Sequence, residues 1–553
     1  MRRIQTEGRY RLVQMETQTE RENAEANKNL LTSEQVQKDS LESNALRNKQ
    51  KKPLLRVAVF LCCGIFNTIL GALSIHYNFV ELIMEERIRM RPGLPPYELW
   101  RNPPVSVLIS VTLYNVTNAI EFLDGIDDRL KLQEVGPIVF AETMHQKDIV
   151  HHYENSTMSF TTERSVKYLP EQNDPGILNK SMIVVNPTLL GLAAYLHDSN
   201  FLQKFAFRMI SSNDDVFLRR TVYEILWNNT SPMLERLSTS ILSVLLPRNN
   251  SGIMYNAYFP KVSRYNVRVG VKYGFKEFFK MNSFNGQPTI PGFEGETRAT
   301  CPVWLTNARD GANLPPYMTK DTVLTVWRED VCTTVDFFFE KEINWRNLRA
   351  YKYAPPASSF NRLANRSLDC HSGHGEIPLP NGIIDSSMCS FDVPTAISFP
   401  HYYGSDGFYT QYVEGMEPDK DKHGSYAIIE PITGFPLEEV ARVQSNLIIP
   451  NLQGYTADIE RFSNMILPGF WVEYSMKQLP PNMIFMTKMI VIYTPIIQIV
   501  LTILAFTLAI GFLYFGIIYF LQIDPKSPRK ILITKMNPFR VKRITLVSNT
   551  NRK

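Results

Sequence analysis

The sequence predicts an α+β membrane protein: one large exterior domain, mostly antiparallel strands with a helical insertion, held by two transmembrane helices that form a hairpin. Three observations carry this prediction. Two long charge-free apolar runs stand near the ends of the 553-residue chain. Basic residues concentrate outside the interval between those runs. Within it, short β-branched segments alternate with turns, except for one stretch of helical period.

The first run, Val57 to Ile75, has 19 residues, no charge and one amide, Asn67. The second, Met489 to Leu521, is uncharged over 33 residues. About 20 apolar residues cross a hydrocarbon core of about 30 Å, so each run is long enough to span it. Pro495 and Gln498 mark an interfacial start to the second, which places the span proper at 496–520. More than 50 residues precede the first run, and no small-residue cleavage pattern follows it. It therefore reads as a retained signal anchor. The chain divides into a cytosolic N-terminus of disordered composition (1–53), a first span (54–77), an exterior domain (78–488), a second span (489–521) and a short basic tail (522–553).

Charge sets the orientation. The net +5 combines +3 over residues 1–53, +8 over 522–553 and Arg56 with −7 over 78–488. Lys49, Lys51, Lys52 and Arg56 precede the first span; Lys526, Arg529, Lys530 and Lys535 follow the second. Positive flanks stay in the cytosol, so both termini are expected there. A split of this kind does not suit a basic nucleic-acid-binding protein. The glycosylation acceptors Asn115, Asn155, Asn179, Asn228, Asn229, Asn249 and Asn365 all fall in the exterior interval, with Asn228 and Asn229 overlapping. So do Cys301, Cys332, Cys370 and Cys389, an even set with three pairings open; an oxidising compartment favours pairing. Cys62 and Cys63 sit inside the first span, where burial and palmitoylation are both readable.

Along the exterior interval, Phe79–Met90 continues helically until Arg91-Pro-Gly-Leu-Pro-Pro96 stops it. Val105–Val116 is a buried strand, followed by strand candidates at Ile138–Glu142, Ile149–Tyr153 and Met158–Thr161. The strand pattern resumes from 253 to 480. Between them, about 186–246, the period is helical: Thr188–Ile210, then Val216–Trp227 with Asn213-Asp214-Asp215 as its N-cap cluster, then Pro232–Leu246. Leu189, Leu190, Leu192, Phe201, Phe205 and Phe207 read either as helix–helix core or as an exposed platform for an apolar ligand.

Catalytic and metal signatures do not emerge. Gly404-Ser405-Asp406-Gly407 has the wrong spacing for a nucleophile elbow. Cys370, His371 and His374 suggest a metal only if Cys370 escapes a disulfide. Asp419-Lys-Asp421-Lys reads as a solvated turn rather than a calcium loop. No enzyme activity and no cofactor are expected.

The residues Tyr114–Asn118 with Glu121–Leu123, Glu134-Val-Gly-Pro137 with Val139, Phe140 and Glu142, Glu224–Trp227, Ile397-Ser-Phe-Pro-His401 and Glu430-Pro-Ile-Thr-Gly434 occur in this order between the two spans. In this the chain resembles the class B scavenger receptor family over about 54–521. The resemblance implies a distorted antiparallel β-barrel ectodomain with an apical helical bundle and an internal tunnel. Through it apolar ligands such as fatty acids, sterols, carotenoids or lipoprotein lipid would pass toward the bilayer without hydrolysis. It implies the disulfides Cys301–Cys370 and Cys332–Cys389; the family's third bridge is absent. Leu189, Leu190, Phe201, Phe205, Arg219 and Arg220 are the candidate apical ligand contacts. Where some members carry apical lysines, this chain has Ser211-Ser-Asn213-Asp214-Asp215. Acid in place of base argues against capture of anionic lipoprotein by that route.

The expected function is lipid binding and transfer or uptake by a class B scavenger-type membrane receptor, with lipid or lipoprotein and the membrane as partners and room for a homo-oligomer. The expected location is the plasma membrane; Leu30-Leu31, a near match to an endolysosomal sorting signal, keeps endosome or lysosome open. The competing readings are a two-span oligomeric channel and an adhesion or clearance receptor without lipid transfer.

Overall fold

The computed structural model describes residues 54–239, 250–258, 262–289, 304–329, 331–364, 369, 373–374, 377–390, 393–477 and 479–523. Two units emerge: residues 79–495, and a second that holds the two ends.

The larger unit is organised by one sheet of 14 strands. Its main path, from edge to edge, is Met281–Phe284, Ser263–Arg268, Thr157–Tyr168, Leu130–His152, Val107–Val116, Met465–Met476, Phe435–Ile449, Tyr426–Glu430, Leu348–Ala354, Thr333–Trp345 and Leu324–Arg328. Each neighbouring pair on this path is antiparallel. One short segment is hydrogen-bonded to both edges. The Met281 amide donates to Ala308 O at 2.9 Å, while Arg309 bridges Val326 in parallel and exchanges backbone bonds with Thr325 and Trp327.

The candidate strands 138–142 and 149–153 are parts of one 23-residue strand, Leu130–His152. The polar Gln146–Asp148 stretch between them carries a bulge, with a register shift between Lys147 and Val150. Asp148 takes a left-handed φ of 51° there, and its carboxylate accepts a hydrogen bond from Thr161 Oγ1 at 2.8 Å. A local side-chain bond of this kind stabilises the extra residue without ending the strand.

The helical insertion differs from expectation at 216–227. Phe217–Thr221 is a strand paired with Ser181–Val185. The helix that follows is only Val222–Trp227, and Thr221 starts it with a reciprocal capping box to Glu224. The Asn213–Asp215 cluster caps no helix at 216; Asp214 Oδ2 accepts instead from the Met233 amide at 2.9 Å, at the start of Pro232–Thr239. The 188–210 stretch is two helices, Pro187–Tyr195 and Phe201–Ile210, the second opened by an Asn200–Gln203 capping box. These helices share one core with the sheet: Leu189, Leu190, Ala193 and Phe207 pack with Phe122, Ile448, Phe462 and Leu467.

In the other unit, the helix Leu54–His76 and the distal part of the Pro481–Gln522 helix are long and apolar enough to cross a membrane. Small residues allow close approach: a Cβ on Gly64 would lie 2.7 Å from Leu513, and one on Gly71 would lie 2.9 Å from Phe506. Ser74 and Thr502 hydroxyls are hydrogen-bonded at 2.7 Å, and Phe60 stacks on Tyr519. Small residues and interhelical hydroxyls are what hold helices together in hydrocarbon, where no hydrophobic force does so.

Candidate functional site

The larger unit holds a partly open cavity of about 410 Å³. This lies within the usual range of small-molecule sites. Its wall is largely apolar, with Trp100, Phe160, Tyr265, Trp327, Phe337 and Met483 among its residues. The helices Phe79–Arg89, Pro95–Arg101 and Pro481–Lys488 contribute to the lining beside the strands.

Charged groups interrupt this wall. Arg442 is paired with Glu473 at 2.7 Å. The Asp310 carboxylate accepts from the Ala312 and Asn313 amides at 3.1 and 3.0 Å, although burial still pushes its pKa up. Glu439 lies between the apolar positions Leu437 and Ala441, opposite Ala427 and Met476. Burial first, then the charge of Asp310, pushes its carboxyl up to about 8, with Arg328 opposing. Arg87, three residues after Met84 on the helix, also lines the cavity. An acid at an apolar register of the 435–449 strand was the signal for Glu439.

The six apical candidates separate into groups. Leu189 and Leu190 are buried in the shared core. Phe201 is 82% exposed and Phe205 50% exposed, and their rings stack at 6.3 Å. Leu202 and Met209 extend the same exposed helix. Arg219 is exposed and, with Leu189, lines a second pocket of about 490 Å³ that also holds Asp214 and Asp215. Arg220 is half-buried and donates to Thr230 O at 3.2 Å. Nearby cations are occupied by backbone: Arg208 donates to Gly454 O and Tyr455 O, and Lys204 to Gln453 O.

Cys332 and Cys389 form a disulfide, one of the two pairs that the resemblance implies. Cys301 and Cys370 lie outside the described residues, as do Asn249 and Asn365. Of the remaining acceptors, Asn155, Asn179 and Asn228 are exposed, Asn229 is buried, and Asn115 is half-buried on its strand with Oδ1 accepting from the Ile183 amide at 2.8 Å.

The motif residues serve the fold. His401 Nε2 is 2.7 Å from Glu134 Oε1, which also accepts from Trp471 Nε1 at 2.6 Å. His401 Nδ1 accepts from the Glu417 amide, so the neutral ring carries its proton on Nε2. The His423 ring stacks on it at 4.3 Å. Burial and then the neighbouring His401 lower the His423 pKa to about 4, which keeps that ring neutral. Burial works to raise the Glu134 carboxyl, but the bonds from His401 and Trp471 outweigh it and leave its pKa lowered. Glu430 accepts from the Ile432 and Thr433 amides, and Glu142 from the Tyr258 hydroxyl. Gly434 has φ +66°, and a Cβ there would stand 2.2 Å from Pro315 O, so the turn requires glycine.

Two span-length apolar helices, with one large sheet domain between them in sequence and an apolar cavity within that domain, define a two-helix membrane protein with a ligand-sized hollow. The chain belongs to the CD36 family, whose sequence profile matches residues 58–520. It is similar to lysosome membrane protein 2 of Mus musculus, 26% identical over 408 residues that cover 72% of this chain and 80% of the relative. It is also similar to scavenger receptor class B member 1 of Sus scrofa, 23% identical over 415 residues that cover 74% and 78% respectively. The same receptor of Rattus norvegicus is 25% identical over 393 residues, covering 70% and 74%.

Proposed function

We propose that this protein binds an apolar lipid in the cavity of its exterior domain and passes it toward the membrane, or mediates its uptake, with both termini in the cytosol and the plasma membrane as its main location. The observation that carries this reading is the apolar cavity of about 410 Å³. A greasy solute dissolves poorly in water, and a lined interior removes that cost. The segment bonded to both sheet edges supports a barrel-like closure around the cavity, which opens into a tunnel in this reading. The exposed Phe201, Leu202, Phe205 and Met209 support a platform where such a ligand first lands.

The test is mass spectrometry of lipid extracted from the purified full-length protein, with Ala441→Phe as the variant. Ala441 lines the cavity. A phenyl ring there takes up ligand volume at a folding cost of about 1–3 kcal/mol. The wild type is expected to carry a defined class of apolar lipid and the variant to lose most of it while still forming the Cys332–Cys389 disulfide. Wild-type protein that extracts empty overturns the reading.

For the overlapping acceptors, a glycan belongs on exposed Asn228 rather than buried Asn229. Asn228→Gln is expected to increase electrophoretic mobility by one glycan, and Asn229→Gln to leave it unchanged. The reverse result would place the glycan on Asn229.

A further inference from the structure

Arg87 stands in the last turn of the helix Phe79–Arg89 and lines the apolar cavity with Met84 and Met90. A guanidinium has five N–H donors in a planar fork, and it favours a carboxylate or phosphate that can engage two of them. Here Nη1 and Nη2 share one neutral acceptor, Leu314 O, at 3.3 and 3.2 Å. The Phe278 ring covers one face at 5.1 Å. Among the described residues, no carboxylate lies within ion-pair distance of Arg87. The acid that most affects it, Glu430, is already bonded to the Ile432 amide and to the amide and hydroxyl of Thr433.

The other cations of the cavity wall are engaged. Arg442 holds Glu473. Arg328 lies over the Tyr474 ring at 4.5 Å, and Arg328 and Arg164 both have further partners. Burial lowers the Arg87 pKa to about 10, which still leaves it protonated at neutral pH. Arg87 is half-buried against an apolar wall, and a charge so placed without a counter-charge is costly unless something supplies one. The surrounding wall is apolar, so the partner that fits is an anion with a hydrocarbon chain attached.

We propose that Arg87 is the head-group subsite of the cavity, taking the acidic end of a single-chain anionic amphiphile, an alkyl carboxylate or an alkyl phosphate, while the apolar wall takes the chain. This rests on the reading of the cavity as a lipid site and adds selection by charge to it. Arg87 then determines specificity, favouring anionic over uncharged lipids of equal length.

The experiment measures displacement of an uncharged fluorescent lipid from the purified full-length protein by palmitate, hexadecyl phosphate or hexadecanol. In the wild type, at least one anion is expected to bind about tenfold or more tightly than the alcohol, the increment of one charge-assisted hydrogen-bonded pair. Whichever anion binds more tightly assigns the head group. Arg87→Gln is expected to bring the anions to parity with hexadecanol without changing hexadecanol itself, which serves as the control for an intact fold. Arg87→Lys is expected to keep part of the preference. Equal binding of anion and alcohol by the wild type overturns the subsite, as does an equal loss of all three ligands in Arg87→Gln with Arg87→Lys unchanged. If the fluorescent lipid fails to bind at all, the lipid-site reading falls, and the subsite with it.

Discussion

Cys332→Ser is expected to keep most of the protein from reaching its mature, fully glycosylated form. The disulfide to Cys389 closes a loop with a sequence separation of 57. In the chain-entropy account, freeing a loop of that length costs about 4 kcal/mol. Whole-domain stability is typically about 5–15 kcal/mol, so this is a large fraction of it. The site adds a packing cost. Cys332 is buried in a cluster with Trp327, Phe284 and Tyr265. It sits in the turn between the edge strand Leu324–Arg328 and Thr333–Trp345. Cys389 closes a short turn ahead of Thr395–Ser398, which pairs with the central Phe435–Ile449 strand. The bond thus ties a sheet edge to a segment anchored near the sheet's middle. Cys389→Ser should behave alike, and the double variant should be no worse than either single one, because both remove the same bond. Glycan maturation and thermal melting of each variant read this out. Single variants that mature and melt like wild type would show that the bond contributes little.

The parts of this architecture that were legible in sequence are those set by composition over a long window. Val57–Ile75 and Met489–Leu521 announce themselves because a charge-free apolar run of that length is the mark of a span-length helix. Val107–Val116 is legible because its neighbours bury both faces of the strand. The 217–221 segment was not legible. Phe217 to Trp227 is compatible with one helix by period, and only pairing with Ser181–Val185, a non-local contact, makes its first half a strand. Gln146–Asp148 has turn composition, yet a turn and a bulge use the same residues for the same reason: both need a left-handed position and a local side-chain bond.

The candidate site was the least legible part, for a physical reason. The wall of a hollow sheet domain obeys the same inside–outside alternation as a filled one, so the lining residues Phe160, Tyr265 and Trp327 read as ordinary core. The motifs that carry the family resemblance point elsewhere. Glu134, His401, Glu224 and Glu430 hold strands, turns and caps together, and none of them lines the cavity. The informative residues were the charged exceptions, Arg87 and Glu439, whose company is apolar.

Glu439→Gln is expected to stabilise the protein, and to do so only above acidic pH. The half-buried side chain lines the apolar cavity, and its folded-state pKa of about 8 stands well above the ordinary value of 4.5. Between pH 4.5 and 8 the folded protein therefore holds a proton that the unfolded chain has released. Stability falls with rising pH wherever the folded state binds more protons. The contribution is fully retained below pH 4.5 and is lost as pH rises through about 8. A shift of this size corresponds to about 2–5 kcal/mol at the alkaline end. Glutamine keeps the shape and the hydrogen-bonding capacity of the neutral acid but does not ionise, so it escapes the loss. His423 works in the opposite direction. Its pKa, lowered to about 4 from 6.5, makes stability decline as pH falls from 6.5 toward 4. Between pH 4.5 and 6.5 the two slopes oppose each other, so the wild type should be most stable there and decline above it, whereas Glu439→Gln should leave the His423 slope uncovered, rise up to about pH 6.5 and hold its stability above that. Melting curves from pH 4.5 to 8.5 test this. Parallel profiles for variant and wild type would mean that the carboxyl ionises freely in the folded state, and that the cavity around it is wet enough to solvate a charge. A difference that rises from about pH 4.5 and levels off near pH 8 would identify the cavity as a place where an unpaired negative charge is disfavoured. In that environment a cation such as Arg87 remains the natural partner for an incoming acidic group.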